Sequence, residues 1–211
     1  MVTDWTTVSS LATGAGTLVL AVATFASVRS ANRAARAAEL SLLAGLRPLL
    51  VPSRLQDADQ KVYFMGGKHL VIPGGRAVAR EEESGELLLA VSLRNAGSGL
   101  AVLYGWRFYP RDMRGDDQPG PADFINQTRD LYVSPGDIGF WQGAFRDPAS
   151  PDYKAARQAI FDAEPLTIDL LYGDQEGGQR VITRFVLRAS REGTWISSAT
   201  HHWNVDRPNP R

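Results

Sequence analysis

The side chains best suited to bond-making chemistry are few in this chain. There are three histidines, His69 and the adjacent pair His201-His202. Neighbouring residues of a strand point to opposite faces, so the pair is poorly placed to hold one metal ion. His69 has no second ligand at metal-binding spacing. Cysteine is absent, which excludes disulfides, thiolate metal sites and cysteine nucleophiles. Neither a Gly-x-Ser-x-Gly elbow nor a His-Glu-x-x-His zinc helix occurs. Asp57 and Asp59 begin like a calcium loop but lack its glycine and distal glutamate, and read as solvated turn residues. Gly67-Lys68-His69 departs from the phosphate-loop pattern at its last position. Asp112, Asp116, Asp117 and Asp123 crowd one polar loop, and together with His201 they form the one constellation that suits a ligand-binding enzyme. Glu81-Glu82-Glu83 reads as a solvated run guarding a strand edge. The residues therefore lead us to expect no catalytic group, no metal and no cofactor.

The composition narrows the class of partner. Among 211 residues, 23 Lys and Arg balance 23 Asp and Glu, so the chain lacks the cationic surplus of a nucleic-acid binder. At 44% hydrophobic and 22% charged residues it belongs with globular chains.

Residues Trp5 to Val28 carry no charge and include Leu11, Leu18, Leu20, Val19, Val22 and Phe25. Roughly 20 helical residues cross a bilayer core, so this stretch predicts one transmembrane helix. Ala21-Val22-Ala23 has the form of a signal-peptide cleavage site, but no Lys or Arg precedes the apolar run. Arg29, Arg33 and Arg36 follow it, against Glu39 alone. The positive-inside rule then predicts a short outer stub and a cytoplasmic C-terminal part at the inner membrane. The same three arginines are candidates for contact with lipid headgroups. From Ser30 to Ala44 the sequence is rich in helix formers, and Gly45 with Arg47-Pro48 ends the pattern. The expected organisation is stub and span over 1–28, a juxtamembrane helix over 29–46, a β domain over 47–203 and a tail over 204–211.

A stripe of small residues at alternating steps of three and four includes Thr13, Thr17, Thr24, Ala31, Ala34 and Ala38. Small residues let helix backbones approach in a membrane, and the same period gives a coiled-coil seam in water. It makes a parallel homo-oligomer the candidate assembly.

Beyond Pro48 the period changes to that of strands. Short strands are predicted at 49–51, 61–65 and 69–72, with glycine pairs between them. Leu87, Leu89, Val91 and Leu93 alternate along 86–95, and Leu100, Val102, Tyr104, Trp106 and Phe108 along 100–109. The intervening Asn95-Ala96-Gly97-Ser98-Gly99 predicts a hairpin turn. Residues 111–129 read as a loop, and strands at 131–133 and 138–145 flank Ser134-Pro135-Gly136-Asp137. Ser150-Pro151 opens a short helix ending before Pro165. Strands at 166–172, 181–187 and 194–203 complete the chain. Eight or nine antiparallel strands and one brief helix predict a mainly β fold, a β-sandwich. Trp106 is expected in its core, whereas Trp141, Trp195 and Trp203 suit either core or a partner surface.

This order of parts resembles a set of uncharacterised bacterial single-span membrane proteins. The likeness rests on Arg47-Pro48, on Leu93-Arg94-Asn95-Ala96-Gly97-Ser98-Gly99-Leu100-Ala101, on Ser134-Pro135-Gly136-Asp137, on Tyr172-Gly173-Asp174, and on His202-Trp203-Asn204-Val205-Asp206-Arg207-Pro208. The Asn-x-Gly-x-Gly turn is also similar to turns of immunoglobulin-like bacterial modules. The resemblance implies an immunoglobulin-like sandwich on a membrane anchor and carries no activity with it. The expected function is a membrane-tethered, non-catalytic interaction or scaffold module with the bilayer and an unidentified protein as partners. The alternatives are a subunit of a larger membrane assembly and the enzyme built on His201 and the 112–123 loop.

Overall fold

In a computed structural model of the chain, residues 5–113, 115, 117–190 and 193–209 are described, without the side chains of 6, 7, 43 and 44. The expected outer stub up to Asp4, and Asp116 of the acidic loop, lie outside the described residues. Contacts divide the chain into a unit ending at Ala44 and a second from Gly45 onward.

The first unit is one uninterrupted helix, α1 (Trp5–Gly45). The 41 residues correspond to about 60 Å. It is long and apolar enough to cross a membrane, and none of its most apolar window is buried within the protein. Leu11, Leu18, Leu20 and Phe25 are all exposed. In water such a surface would be costly, at about 1.5–3 kcal/mol for each large side chain left unburied.

The second unit is mainly β. Its strands are β1 (Leu50–Pro52), β2 (Gln60–Tyr63), β3 (His69–Ile72), β4 (Arg76–Glu81), β5 (Leu87–Asn95), β6 (Ala101–Tyr109), β7 (Ile125–Val133), β8 (Ile138–Phe145), β9 (Leu166–Gly173), β10 (Val181–Ala189) and β11 (Trp195–Asn204). All pairings are antiparallel. β5 is flanked by β8 on one side, and β1 and β4 share its other side. The ladder continues from β4 through β11, β10, β9 and β6 to β7. Only Ala77–Trp195 and Arg76–Ile196 join β4 to β11. β2 and β3 form a separate two-stranded sheet.

One core collects Leu87, Leu89, Val91 and Leu93 of β5 with Leu166, Ile168, Leu170 and Tyr172 of β9 and Phe185 and Leu187 of β10. Trp106 stands edge-on to Trp141 at 5.3 Å and to Phe145 at 5.4 Å, an arrangement favoured by the ring quadrupoles. Trp141, Trp195 and Trp203 are buried as Trp106 is, so the domain tryptophans are packing residues. Leu88 and Ala90, on the opposite face of β5, lie under Val62 of β2, Phe64 just after it, and Leu70 and Ile72 of β3. Burial on both faces explains the unbroken Leu87-Leu88-Leu89-Ala90-Val91 run.

The helix predicted after Ser150 is α2 (Pro151–Phe161), with the Ser150 hydroxyl accepting from the Tyr153 N–H at 3.0 Å. Its C-terminus closes on Ala163, which takes a positive φ of 55°. The Ala163 N–H donates to the Ile160 carbonyl and the Glu164 N–H to the Ala159 carbonyl, the paired bonds of a Schellman cap.

Four expectations fail. The strands at 86–95 and 100–109 do not form a hairpin: β5 pairs with β1, β4 and β8, and β6 with β7 and β9. The reason is Asn95, fully buried, whose amide donates to the Gly99 and Val133 carbonyls and whose Oδ1 accepts from the Leu49 and Gly97 N–H groups. These four bonds carry the chain across to a different neighbour instead of back along β5. Glycine is needed there because a Cβ at Gly99 would overlap the Leu46 carbonyl and one at Gly97 the Arg47 carbonyl. Second, β4 was not expected, since Ala77 and Ala79 give its inward face little apolar signal. Third, the 111–129 loop ends early, because β7 begins at Ile125. Within β6 the register with β7 and β9 shifts between Leu103 and Gly105. Ala101 and Leu103 therefore reach the core before the shift and Trp106 after it, so the single inward face expected for 100–109 changes phase.

Candidate functional site

The histidines are separated as strand geometry demands. His201 stands opposite Arg184, and His202 opposite Thr183. In register across four strands, Arg107, Asp169, Arg184 and His201 form one row. Arg184 and Asp169 are almost wholly buried and make two hydrogen bonds of 2.8 Å, the fork-to-fork geometry that favours arginine. The guanidinium also donates to the Gly115 carbonyl at 2.9 Å and lies over the rings of Trp203 and Tyr109 at 4.8 and 5.5 Å. Arg107 lies over the Tyr109 ring, and His201 stacks on Trp203 at 5.1 Å. This is a closed stack with its charges matched. Burial pushes the Tyr109 phenol up, and the neighbouring Asp169 charge adds to the effect.

His202 belongs to a different chain of contacts. Its Nδ1 is 2.8 Å from the Thr183 hydroxyl, which is 2.8 Å from the Tyr172 hydroxyl, which accepts from the Leu50 N–H at 3.0 Å. Burial pushes the Tyr172 phenol up to about 12, so it stays protonated beside the Thr183 hydroxyl. Desolvation by the surrounding protein, and then the Arg47 and His201 charges, hold His202 below its usual value, although the residue is exposed at the surface.

The acidic loop is engaged by arginines. Asp112 pairs with Arg188 at 2.8 Å and Asp123 with Arg107 at 2.9 Å. Among the described residues no group of three or more His, Asp or Glu is placed to hold a metal ion. Asp57 caps its own turn by accepting from the Arg54 N–H. Glu81, read as loop, ends β4 and receives Arg157 of α2. On α1, Arg29, Arg33 and Arg36 are exposed, as are Ala31, Ala34 and Ala38. The Thr13, Thr17 and Thr24 hydroxyls each donate, at 2.8 Å, to the carbonyl four residues back. Their protons are satisfied within the helix, so the stripe offers small volume more than cross-helix donors.

The feature that sequence reasoning missed lies between β7 and β8. The two strands are joined by the Ser134–Asp137 turn, in which Gly136 takes a φ of 76°. Yet among the described residues they share no ladder: β7 pairs with β6, and β8 with β5. Opposite Leu103 and Gly105, β7 jumps from Leu131 to Asn126, so residues 127–130 bulge. The Gln127 amide crosses the seam to the Gln142 carbonyl at 3.1 Å, and Arg129 reaches the Tyr63 carbonyl at 3.3 Å. Two cavities follow the seam. One of about 90 Å³ is lined by Phe64, Trp106, Ile125, Gln127, Gln142 and Arg146 among others. A more open one of about 480 Å³ lies among Gln60, Lys61, Asp130, Tyr132 and Phe140. Ile125 and Tyr132 stand exposed beside it.

No family model, curated protein or solved structure matches this chain.

The seam was invisible in the sequence because a tight turn between two strand-like runs ordinarily signals a paired hairpin. The one available signal was polarity. Asn126-Gln127-Thr128-Arg129-Asp130 is a strand segment without an apolar alternation. Such a segment is not built to be covered by its own sheet.

Proposed function

We propose that this protein is a membrane-anchored interaction module, whose β domain binds a protein partner by strand addition at the seam between β7 and β8. The observation that carries the reading is that seam: two neighbouring strand edges without a ladder between them. An exposed strand edge without a ladder gains hydrogen bonds when an extended segment docks against it. The anchor is α1, exposed along its apolar length, with Arg29, Arg33 and Arg36 after the span favouring a cytoplasmic domain at the inner membrane. An immunoglobulin-like sandwich is the reading that best accounts for the shared core of β5 with β9 and β10, since the nine-stranded ladder is linked at β4–β11 by only two residue pairs. The resemblance to single-span bacterial proteins adds to this account.

Photo-crosslinking in membranes tests it. A photoreactive residue replacing Tyr132 should give one discrete adduct, and one replacing Phe161 of α2, which is also exposed, should give none. Adducts from position 161 alone would refute the seam as the binding site.

A further inference from the structure

The turn between β7 and β8 itself keeps the two strands apart. Pro135 and Gly136 stand at its centre, Gly136 at a φ of 76°, and the Asp137 N–H donates to the Ser134 carbonyl at 3.1 Å. That is the chemistry of a type II turn, which splays the strands it joins. Backbone bonds also fasten it to the end of β5. The Gly136 N–H donates to the Asn95 carbonyl at 2.9 Å, and the Asn95 N–H to the Asp137 carbonyl at 3.1 Å. The open edge of β8 is therefore set by the turn and not by the bulge facing it.

Successive residues of a strand turn their backbone groups to opposite neighbours. The Gln142 carbonyl is turned to the seam, since the Gln127 amide reaches it from β7. Phe140 and Ala144 share the phase of Gln142 along β8, so these three residues make up the edge that a docking strand would pair with. Its central acceptor is already engaged. The second crossing bond, from Arg129, ends on the carbonyl of Tyr63, the last residue of β2. Val62 of β2 belongs to the cluster against which Phe140 and Ala144 of β8 pack. Both bonds thus tie the bulge at 127–130 to elements across the seam. Each is one side chain held on one main-chain carbonyl, and Arg129 is exposed. A bond of this kind contributes little net of its exchange with water, so it opens readily.

Resting on the strand-addition reading above, we infer that residues 127–130 form a displaceable strap, in which Gln127 occupies the Gln142 carbonyl that the partner strand must use. The arriving segment takes that carbonyl with its own N–H, and Gln127 and Arg129 are released. At Gln142 one donor replaces another. The gain comes from the neighbouring backbone groups of Phe140 and Ala144, and the strap sets the threshold that a partner has to exceed. Shortening either strap residue should therefore tighten binding, where a residue that builds the site would weaken it.

The test uses the full chain in membranes, with the photoreactive residue at position 132. Gln127→Ala should raise the adduct yield about fivefold at low expression, where binding is far from saturation. Arg129→Ala should act in the same direction, and Gln158→Ala on α2 should change nothing. Amide exchange of the full chain in lipid nanodiscs should speed up at 127–130 in Gln127→Ala, with β5 and β9 as protected as before. An unchanged or lower yield in both strap variants, or loss of protection spreading through β5 and β9, would overturn the inference. If position 132 crosslinks equally well with and without Gln127, only the strap falls. Absence of the adduct from the native sequence and from both variants would remove the strand-addition reading as well.

Discussion

The buried pair of Arg184 and Asp169 shows how a charge can be tolerated in a β domain. Both are removed from water, but each guanidinium–carboxylate bond is 2.8 Å long, a further N–H donates to the Gly115 carbonyl, and the guanidinium plane lies over two aromatic rings. Removing one partner strands the other, so Asp169→Asn should lower unfolding free energy by about 3–5 kcal/mol in urea titration. His202 gives a pH signature of known sign. Its folded-state value is depressed, so the associated stability is complete above the ordinary histidine range, near 6.5, and is lost as pH falls through the folded value. His202→Gln should flatten the stability profile below about pH 6.5. Little of this was legible beforehand. His201, His202 and Trp203 attract notice by type, and strand alternation correctly set the two imidazoles apart. Arg184 and Asp169 look like ordinary strand residues until the register of β10 on β9 puts them side by side.

At the level of elements, local chemistry was the readable part. Ser150-Pro151 placed the start of α2, and apolar alternation placed β5, β9 and β10. Ala163 sits where glycine would be at ease, so Ala163→Gly should raise stability by about 1 kcal/mol, seen as a higher unfolding midpoint. Pairing was not readable, because it was decided by contacts far apart in sequence. The Asn95 side chain binds Leu49 and Val133 at once, and so diverts a turn that by composition alone predicts a hairpin. Asn95→Leu would leave the Leu49 and Gly97 N–H groups and two carbonyls unmatched. It should cost at least about 2 kcal/mol and disturb β1, β6 and β7 together in amide exchange. The seam escaped notice for the same reason: β7 and β8 are individually plausible strands, and only their ladders with β6 and β5 show that they do not bond each other.

For the whole molecule, the distinction between the two units was the clearest signal in the chain. A helix of 41 residues exposes its apolar side chains from Val8 to Leu42, whereas the β unit buries a common core and meets loop carboxylates such as Asp112 and Asp123 with arginines. On our account the bilayer covers the first unit and a partner strand completes the second. The most direct test is to express the full chain, wash the membranes with alkaline carbonate and follow the protein. Retention in the pellet, with release only by detergent, is the result expected of a spanning helix. Recovery in the carbonate supernatant would contradict the account at its root, since the exposed surface of α1 would then have to be covered by something other than lipid.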